Sequence, residues 1–505
     1  MLKFIIKRLG ASLGILLAAS FLLYVLVINS GDPLGDLRES SAENRDYLIA
    51  QRSAYMNLDQ PWYLRYWDWL TGVGKCFALQ CDLGTNVQGV EVSGLLGAAA
   101  SSTLRLVILA TVLAAIFGIA IGVLTAVRQY SGLDYGVTFL TFLFFSLPVF
   151  WAAVMLKEYM AIGYNNWIKE PAFTPLQTIV AAVLFGFLMQ VFLGGSVKRR
   201  VATFAVSAVF VGVAIPYLLW LNFFRYPQLG LVGIVVLSLA VALSGTAMTV
   251  GVRNKAVLYP ALITVGLGII LYYATFSILQ APSTPVLIIG GVLSMAIPGA
   301  IGYYMGGRVR KVAMWVSAFT GLAVAGLTVI DHIFRAWPGF LQLKPRPVGT
   351  IGSQTPDFVG SFWEVFLDRG AQLILPTILL AVISLASYSR YTRTSMLEVG
   401  QQDYIRTARS KGLSERTVIF RHAFRNALIP IATIAAFDFA GLIGGAVITE
   451  SVFGWKGMGE MFRTGLQHVD PAPVMAFFLV TGTAAVLFNM LADIFYALLD
   501  PRIRV

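Results

Sequence analysis

The sequence predicts an all-α polytopic membrane protein with about twelve transmembrane helices. Three observations carry this expectation. Hydrophobic residues make up 57% of the 505 residues and charged residues only 12%. The mean hydropathy is +0.76. The apolar residues also fall in long continuous runs, not in alternation. A soluble fold of this size could neither bury so much apolar surface nor cover itself with so little charge. Continuous runs favour helices over a barrel, because a span in lipid must satisfy its own backbone hydrogen bonds. The composition excludes disorder, a collagenous repeat and a disulfide scaffold, and two cysteines are too few for an Fe–S site.

Roughly 20 apolar residues cross about 30 Å of hydrocarbon. Twelve runs qualify, at about 8–29, 104–127, 136–160, 175–195, 201–224, 228–250, 257–279, 284–306, 312–333, 371–389, 427–449 and 473–497. The first follows Lys3, Lys7 and Arg8 and reads as a retained signal anchor, since the run is long and lacks a convincing cleavage site. With the N-terminus cytoplasmic, the inner loops hold 22 of the 37 basic residues and five of the 25 acids. The inside then carries +17 and the remainder −5, the sign of the positive-inside rule. An even number of spans places both termini in the cytoplasm. The overall +12 therefore reports orientation in a cell (inner or plasma) membrane, with lipid as a partner and no nucleic acid.

The longest outer segment, 30–101, contains Cys76 and Cys81. Facing an oxidising exterior, the pair could close a small loop worth roughly 2 kcal/mol; two free thiols are the alternative. The aromatic run from Trp62 to Trp69 is a candidate dock for an extracytoplasmic protein or a piece of rigid core. Between 172 and 334, the inner basic positions Lys198, Arg253 and Arg308 recur at intervals of 55 residues. This reads as three helical hairpins in tandem, by duplication or because short-loop hairpins share a length. Ionisable residues are missing from the depth of these six spans, with Asp331, His332 and Arg335 at the outer end of the last. That argues for packing or docking rather than ion movement.

The chain has no Gly-x-x-x-x-Gly-Lys-Ser/Thr phosphate loop, no His-Glu-x-x-His and no Cys/His cluster. It is not expected to be an enzyme, and no catalytic residue, metal or cofactor of its own is expected. The informative segment is the largest inner loop, 390–426. Asp403-Tyr404-Ile405-Arg406-Thr407-Ala408-Arg409-Ser410-Lys411 is helix-competent and is followed by Gly412, suited to a helix C′ position, and Leu413. Ser414 can N-cap a second helix, on which Phe420, Ala423, Phe424, Ala427 and Leu428 form an apolar stripe. A helix–Gly–helix elbow suits force transmission from a soluble partner; a basic loop on anionic headgroups is the alternative.

The stretch from Asp403 through Pro430 resembles the loop that docks on the ATPase in membrane permeases of binding-protein-dependent ABC importers, dipeptide/oligopeptide/nickel branch. Further resemblances lie at Asp59-Gln60-Pro61-Trp62-Tyr63-Leu64-Arg65-Tyr66, Asp82-Leu83-Gly84 and Ser146-Leu147-Pro148-Val149-Phe150-Trp151. They continue at Gly360-Ser361-Phe362-Trp363, Tyr391-Thr392-Arg393, Gly444-Gly445-Ala446-Val447-Ile448-Thr449-Glu450 and Ala497 to Arg504. The likeness covers about 1–165 and 340–505. It implies a type I importer core of six helices, its first half in 1–171 and its second in 335–505, with 172–334 as an inserted block. Lys456 stands where the family usually has Pro, which puts the shape of the last outer loop in question.

The resemblance further implies three kinds of partner. These are a second homologous permease, two cytoplasmic ATPase subunits or domains that bind ATP and Mg, and an extracytoplasmic solute-binding protein. Asp403, Tyr404, Arg406, Thr407, Ala408, Arg409, Lys411, Gly412 and Leu413 would couple to the ATPase, with Ala408 letting its groove approach closely. Arg421, His422, Arg425, Asn426 and Pro430 would support the loop. Ser146, Phe150 and Asp438 are candidates for the translocation path. Asp438, an acid within an apolar span, would meet a peptide's amino group or pair across helices. The contrasting expectation is an ion-coupled secondary transporter, which calls for several ionisable groups near the midplane; only Asp438 and Asp493 approach that description.

Overall fold

A computed structural model describes residues 2–499; the side chains of 2–7 and 491–499, and of seven positions between 429 and 445, lie outside the description. Asp500 to Arg504, part of the C-terminal resemblance and holding three of the counted inner charges, are outside it, as is the side chain of Asp493. Among the described residues there are no strands, and every predicted span overlies a helix. Ten helices are long and apolar enough to cross a membrane, or eleven if one bent pair is a single span. The helix Phe424–Gly445, 22 residues long, occupies the place of the expected span at 427–449.

The expected straight span at 136–160 is instead broken. Helices Gly132–Ser146 and Val149–Trp167 meet at 103°. The cause is local: Pro148 has no N–H to donate, and its ring forces Leu147 out of the helical region, to φ −75° and ψ 129°.

The chain forms two compact units. The first comprises 1–160, 350–353 and 372–505. At its centre the helix Val92–Val127 packs on the inner part of Phe362–Gly400. Gly118 and Gly122 let the backbones approach, since a Cβ at Gly122 would lie 2.5 Å from Cβ of Thr392 and 2.6 Å from the Ser389 carbonyl. Leu106, Ala110, Tyr388, Met458 and Phe477 fill the core around this crossing. On the side expected to be cytoplasmic, Arg393 donates from Nε and a terminal nitrogen to the buried Asp134 carboxylate, at 2.7 and 2.9 Å.

The second unit comprises 161–349 and 354–371. Its three hairpins are unequal. Helices Gly230–Thr249, Lys255–Ala274, Thr284–Met305 and Arg310–Leu343 pack together. Gly321 lies so close to the Ser294 carbonyl that no side chain would fit there. Helices Pro175–Leu193 and Val197–Trp220 pack chiefly on one another, and the second buries no residue at all. Its apolar surface matches a lipid environment.

Asp331, fully buried, joins three helices of the bundle. Its Oδ1 accepts the N–H groups of Leu229 and Gly230 at 3.0 and 2.9 Å. Its Oδ2 accepts Tyr272 Oη–H at 3.0 Å and Arg335 Nε–H at 2.7 Å. One carboxylate thus satisfies the start of helix Gly230–Thr249 and an arginine together. Asp331→Ala leaves all four donors without it and is expected to cost about 3–5 kcal/mol. Denaturant titration of the chain in mixed micelles would read this loss; a change below about 1 kcal/mol would refute the role.

Candidate functional site

The elbow at 390–426 is built from backbone chemistry already visible in its residues. Helix Asp403–Ser410 ends at Lys411, and Gly412 follows with φ +73°. Gly412 N–H bonds to the Arg409 carbonyl at 2.9 Å and Leu413 N–H to the Ala408 carbonyl at 3.4 Å. Those two bonds are a Schellman termination, which requires the left-handed conformation that glycine alone adopts without strain. A Cβ at Gly412 would meet no atom within 4 Å. Ser414 then caps the next helix through the Thr417 N–H at 3.4 Å, and Arg409 Nε bonds to Glu415 Oε1 at 2.8 Å across the bend.

The elbow sits on its own apolar cluster of Met396, Ile405, Ala408, Val418, Ala423 and Ala427. Ala408 is 6% exposed. The expected role of this alanine is therefore corrected: it faces inward, and with Ile405 seats the helix instead of admitting a partner's groove. The i, i+3 spacing of Ile405 and Ala408 was the signal for this. The second helix also differs from its expected stripe. Residues Val418–Ala423 form a π-helical turn, whose extra residue per turn shifts the register, so Val418 is buried and Phe420 is 59% exposed.

The other expected coupling residues face solvent. Asp403, Tyr404, Arg406, Thr407, Arg409, Lys411 and Leu413 are exposed. Asn426 Nδ2 donates to Tyr404 Oη at 2.9 Å, linking the two arms of the elbow, and to the His422 carbonyl at 3.1 Å within its own arm. Arg421, Arg425 and Pro430 are exposed.

The path candidates are separate in kind. Ser146 and Phe150 flank the break at Pro148 and are exposed; Ser146 Oγ donates to the Phe142 carbonyl at 2.8 Å. Asp438 is half-buried and accepts Tyr388 Oη–H at 2.8 Å. The bond joins helix Phe362–Gly400 to helix Phe424–Gly445.

Two ties went unseen in the sequence. Glu450 is fully buried and gathers Thr103 Oγ1–H at 2.6 Å and the N–H groups of Gly459 and Glu460 at 2.6 and 3.2 Å. Thr103 Oγ1 in turn accepts Met458 N–H at 2.9 Å. Together with Gly454 at φ +55°, this shapes the loop at 453–459, while Lys456 is exposed and leaves the loop's course to its neighbours. In the outer segment, Cys76 and Cys81 form a disulfide. Of the aromatic run, Trp69 and Tyr66 pack on Tyr24, whereas Trp62, Tyr63 and Trp67 are 40 to 60% exposed. The second tie is Asp470, which is buried and accepts Val87 N–H at 2.8 Å and Ala472 N–H at 3.2 Å.

Burial pushes the Asp470 carboxyl up from its usual value to about 6, against the backbone donors, His468 and Arg52, which favour the anion. The folded state therefore holds this proton more tightly than the unfolded chain. The stability it contributes is full below about pH 4 and lost as pH rises through about 6. Asp470→Asn removes that slope. The melting temperature of the variant relative to the natural chain should rise between pH 4 and 7, by the equivalent of about 2–3 kcal/mol. A pH-independent difference would show that the carboxyl is ordinary.

Comparison with known proteins adds the following. Residues 283–505 match the family described as binding-protein-dependent transport system inner membrane component. The match begins within the third predicted hairpin. The oligopeptide transport system permease protein OppB of Mycobacterium tuberculosis (strain ATCC 25618 / H37Rv) is 38% identical over 231 residues, 44% of this chain and 70% of that protein. The di/tripeptide transport system permease protein DppB of Pseudomonas aeruginosa (strain UCBPP-PA14) is 35% identical over 252 residues, 49% and 71% respectively. The dipeptide transport system permease protein DppB of Escherichia coli (strain K12) is 45% identical over 139 residues, 28% and 41%.

Proposed function

Because the chain belongs to the family of binding-protein-dependent transport system inner membrane components, we propose that it is one permease subunit of an ATP-driven importer of di- or oligopeptides or related solutes. Family membership makes it a multi-pass inner-membrane transport component and selects this reading over the ion-coupled alternative. The solute class comes from the names of its relatives, which transport oligopeptides, di/tripeptides and dipeptides. Both termini lie in the cytoplasm in this reading, as the inner excess of Lys and Arg supports. A second permease completes the path, two ATPase subunits or domains carry ATP and Mg, and a solute-binding protein delivers cargo. The 172–334 block is an insertion between the two halves of the core, 1–171 and 335–505.

The observation that carries the proposal is the elbow: a rigidly terminated, charged helix, seated from beneath by Ile405 and Ala408 and exposed along its other side. Driving a two-state equilibrium from 1:99 to 99:1 takes about 5.5 kcal/mol of differential binding. ATP binding to the partners supplies it. Asp403, Arg406, Arg409 and Lys411 orient the helix on the motor, and the bend at Gly412 passes the motion to the spans. Asp438, near the middle of its helix, lies along the solute's route.

Gly412→Val forces a β-branched residue to positive φ without creating a clash. Assembly and basal ATP hydrolysis should persist while uptake falls at least tenfold, as flux and hydrolysis measured together in proteoliposomes would show; normal uptake refutes transmission through the elbow. Asp438→Asn keeps an acceptor for Tyr388 but removes the charge. A severalfold rise in the KM for peptide uptake is expected. Unchanged kinetics would leave Asp438 with its helix-pairing role alone.

A further inference from the structure

The first unit has an open cleft of about 460 Å³ between the long outer segment and the start of helix Pro471–Leu499. This lies within the range of about 300–1,000 Å³ typical of small-molecule sites. Its floor is aromatic and apolar, from Tyr24, Trp69 and Met475, which pack as one cluster. Its wall carries both signs of charge: Arg65 and Lys75 against Asp68, Asp82 and Asp470.

The acids are not equivalent. Asp470 spends both oxygens on backbone N–H groups, and Asp82 spends one on Gly84 N–H at 3.2 Å. Asp68 is exposed, and its carboxylate accepts no hydrogen bond among the described residues. On the basic side, Arg65 is half-buried with an Nε–H that has no partner among the described residues. The indole N–H of Trp69, 9% exposed, has none either. Arg65, Asp68 and Trp69 stand at i, i+3 and i+4 on helix Trp62–Lys75 and so share one face. Unspent donors of positive charge and an unspent carboxylate above an aromatic floor fit neither a simple anion nor a simple cation. They fit a small dipolar molecule with a carboxylate, an ammonium and an apolar side chain.

We propose that this outer pocket is a binding site for a short free peptide, holding its C-terminal carboxylate at Arg65, its N-terminal ammonium at Asp68, and a side chain over Trp69 and Tyr24. Charge-assisted hydrogen bonds at both ends give selectivity for unblocked termini. The proposal rests on the importer reading, which places the segment outside and makes peptides the cargo. It adds a site on the permease itself, distinct from the path candidates Ser146, Phe150 and Asp438.

The test is isothermal titration of the full-length chain in lipid nanodiscs with the dipeptide Ala-Phe, its N-acetyl form and its C-terminal amide. Saturable binding of Ala-Phe is expected, weakened at least tenfold by either blocking group and at least tenfold by Arg65→Gln or Asp68→Asn. The blocked ligands probe the natural chain, so the result stands even if a variant fails to fold. Absence of saturable binding up to about 10 mM, or binding indifferent to both blocked ends, overturns the proposal. Uptake of Ala-Phe by the complete transporter is measured alongside. Uptake without permease binding refutes this pocket alone; binding without uptake supports the pocket and refutes the peptide-import reading; loss of both refutes both.

Discussion

An unpaired backbone N–H or C=O is expensive away from water, and in hydrocarbon there is no water to rescue it. This constraint organises the chain. It makes every span a helix and concentrates the difficulty at helix ends and breaks, where N–H groups lack partners. The protein meets that difficulty with its few acids. Among the described residues, the buried acids are Asp134, Asp331, Asp368, Glu450 and Asp470. Each accepts at least one backbone N–H: from Tyr130, from Leu229 and Gly230, from Thr355, from Gly459 and Glu460, and from Val87 and Ala472. A buried carboxylate suits the task because it offers several lone pairs in fixed geometry and gains from the positive end of a helix.

These ties also separate rigid from movable structure. Asp134 with Arg393 and Glu450 with Thr103 pin the first unit at two well-separated levels, and both join residues several hundred positions apart in sequence. Asp331 does the corresponding work inside the second unit. The elbow is held differently. Its seat is apolar and its termination is a pair of backbone bonds, while Arg409 with Glu415 and the wide pair of Arg406 with Asp403 lie exposed. A helix firmly backed and openly faced can take a load from outside without losing its own shape.

Local signals were read correctly where they are self-sufficient. Gly412 as a terminator and Ser414 as a cap depend on a few adjacent residues, and both stand in the structure as expected. Signals that depend on phase or on a distant partner were less legible. The stripe through Phe420 assumed 3.6 residues per turn, and the π-turn at 418–423 moved it. The alternation that buries Ile405 and Ala408 was present, yet a short helix with charges all along it does not announce which side is covered. Pro148 within Ser146-Leu147-Pro148 was in plain view, but an apolar run on both sides concealed that the chain turns there by 103°.

By itself, then, the sequence determined the solvent, the helical class, the positions of the spans and the elbow's two ends, because hydrophobic length and backbone conformation are properties of contiguous residues. Tertiary structure decided that the first hairpin of 172–334 packs chiefly on itself while the other two pack together. It also decided that Asp438 is met by Tyr388, and that Glu450, Asp470 and Asp331 serve as ties. Those outcomes depend on which donor arrives opposite a given carboxylate, and on which helix face finds a neighbour. Both are set by packing between segments far apart in the chain, about which the residues next to each acid carry no information.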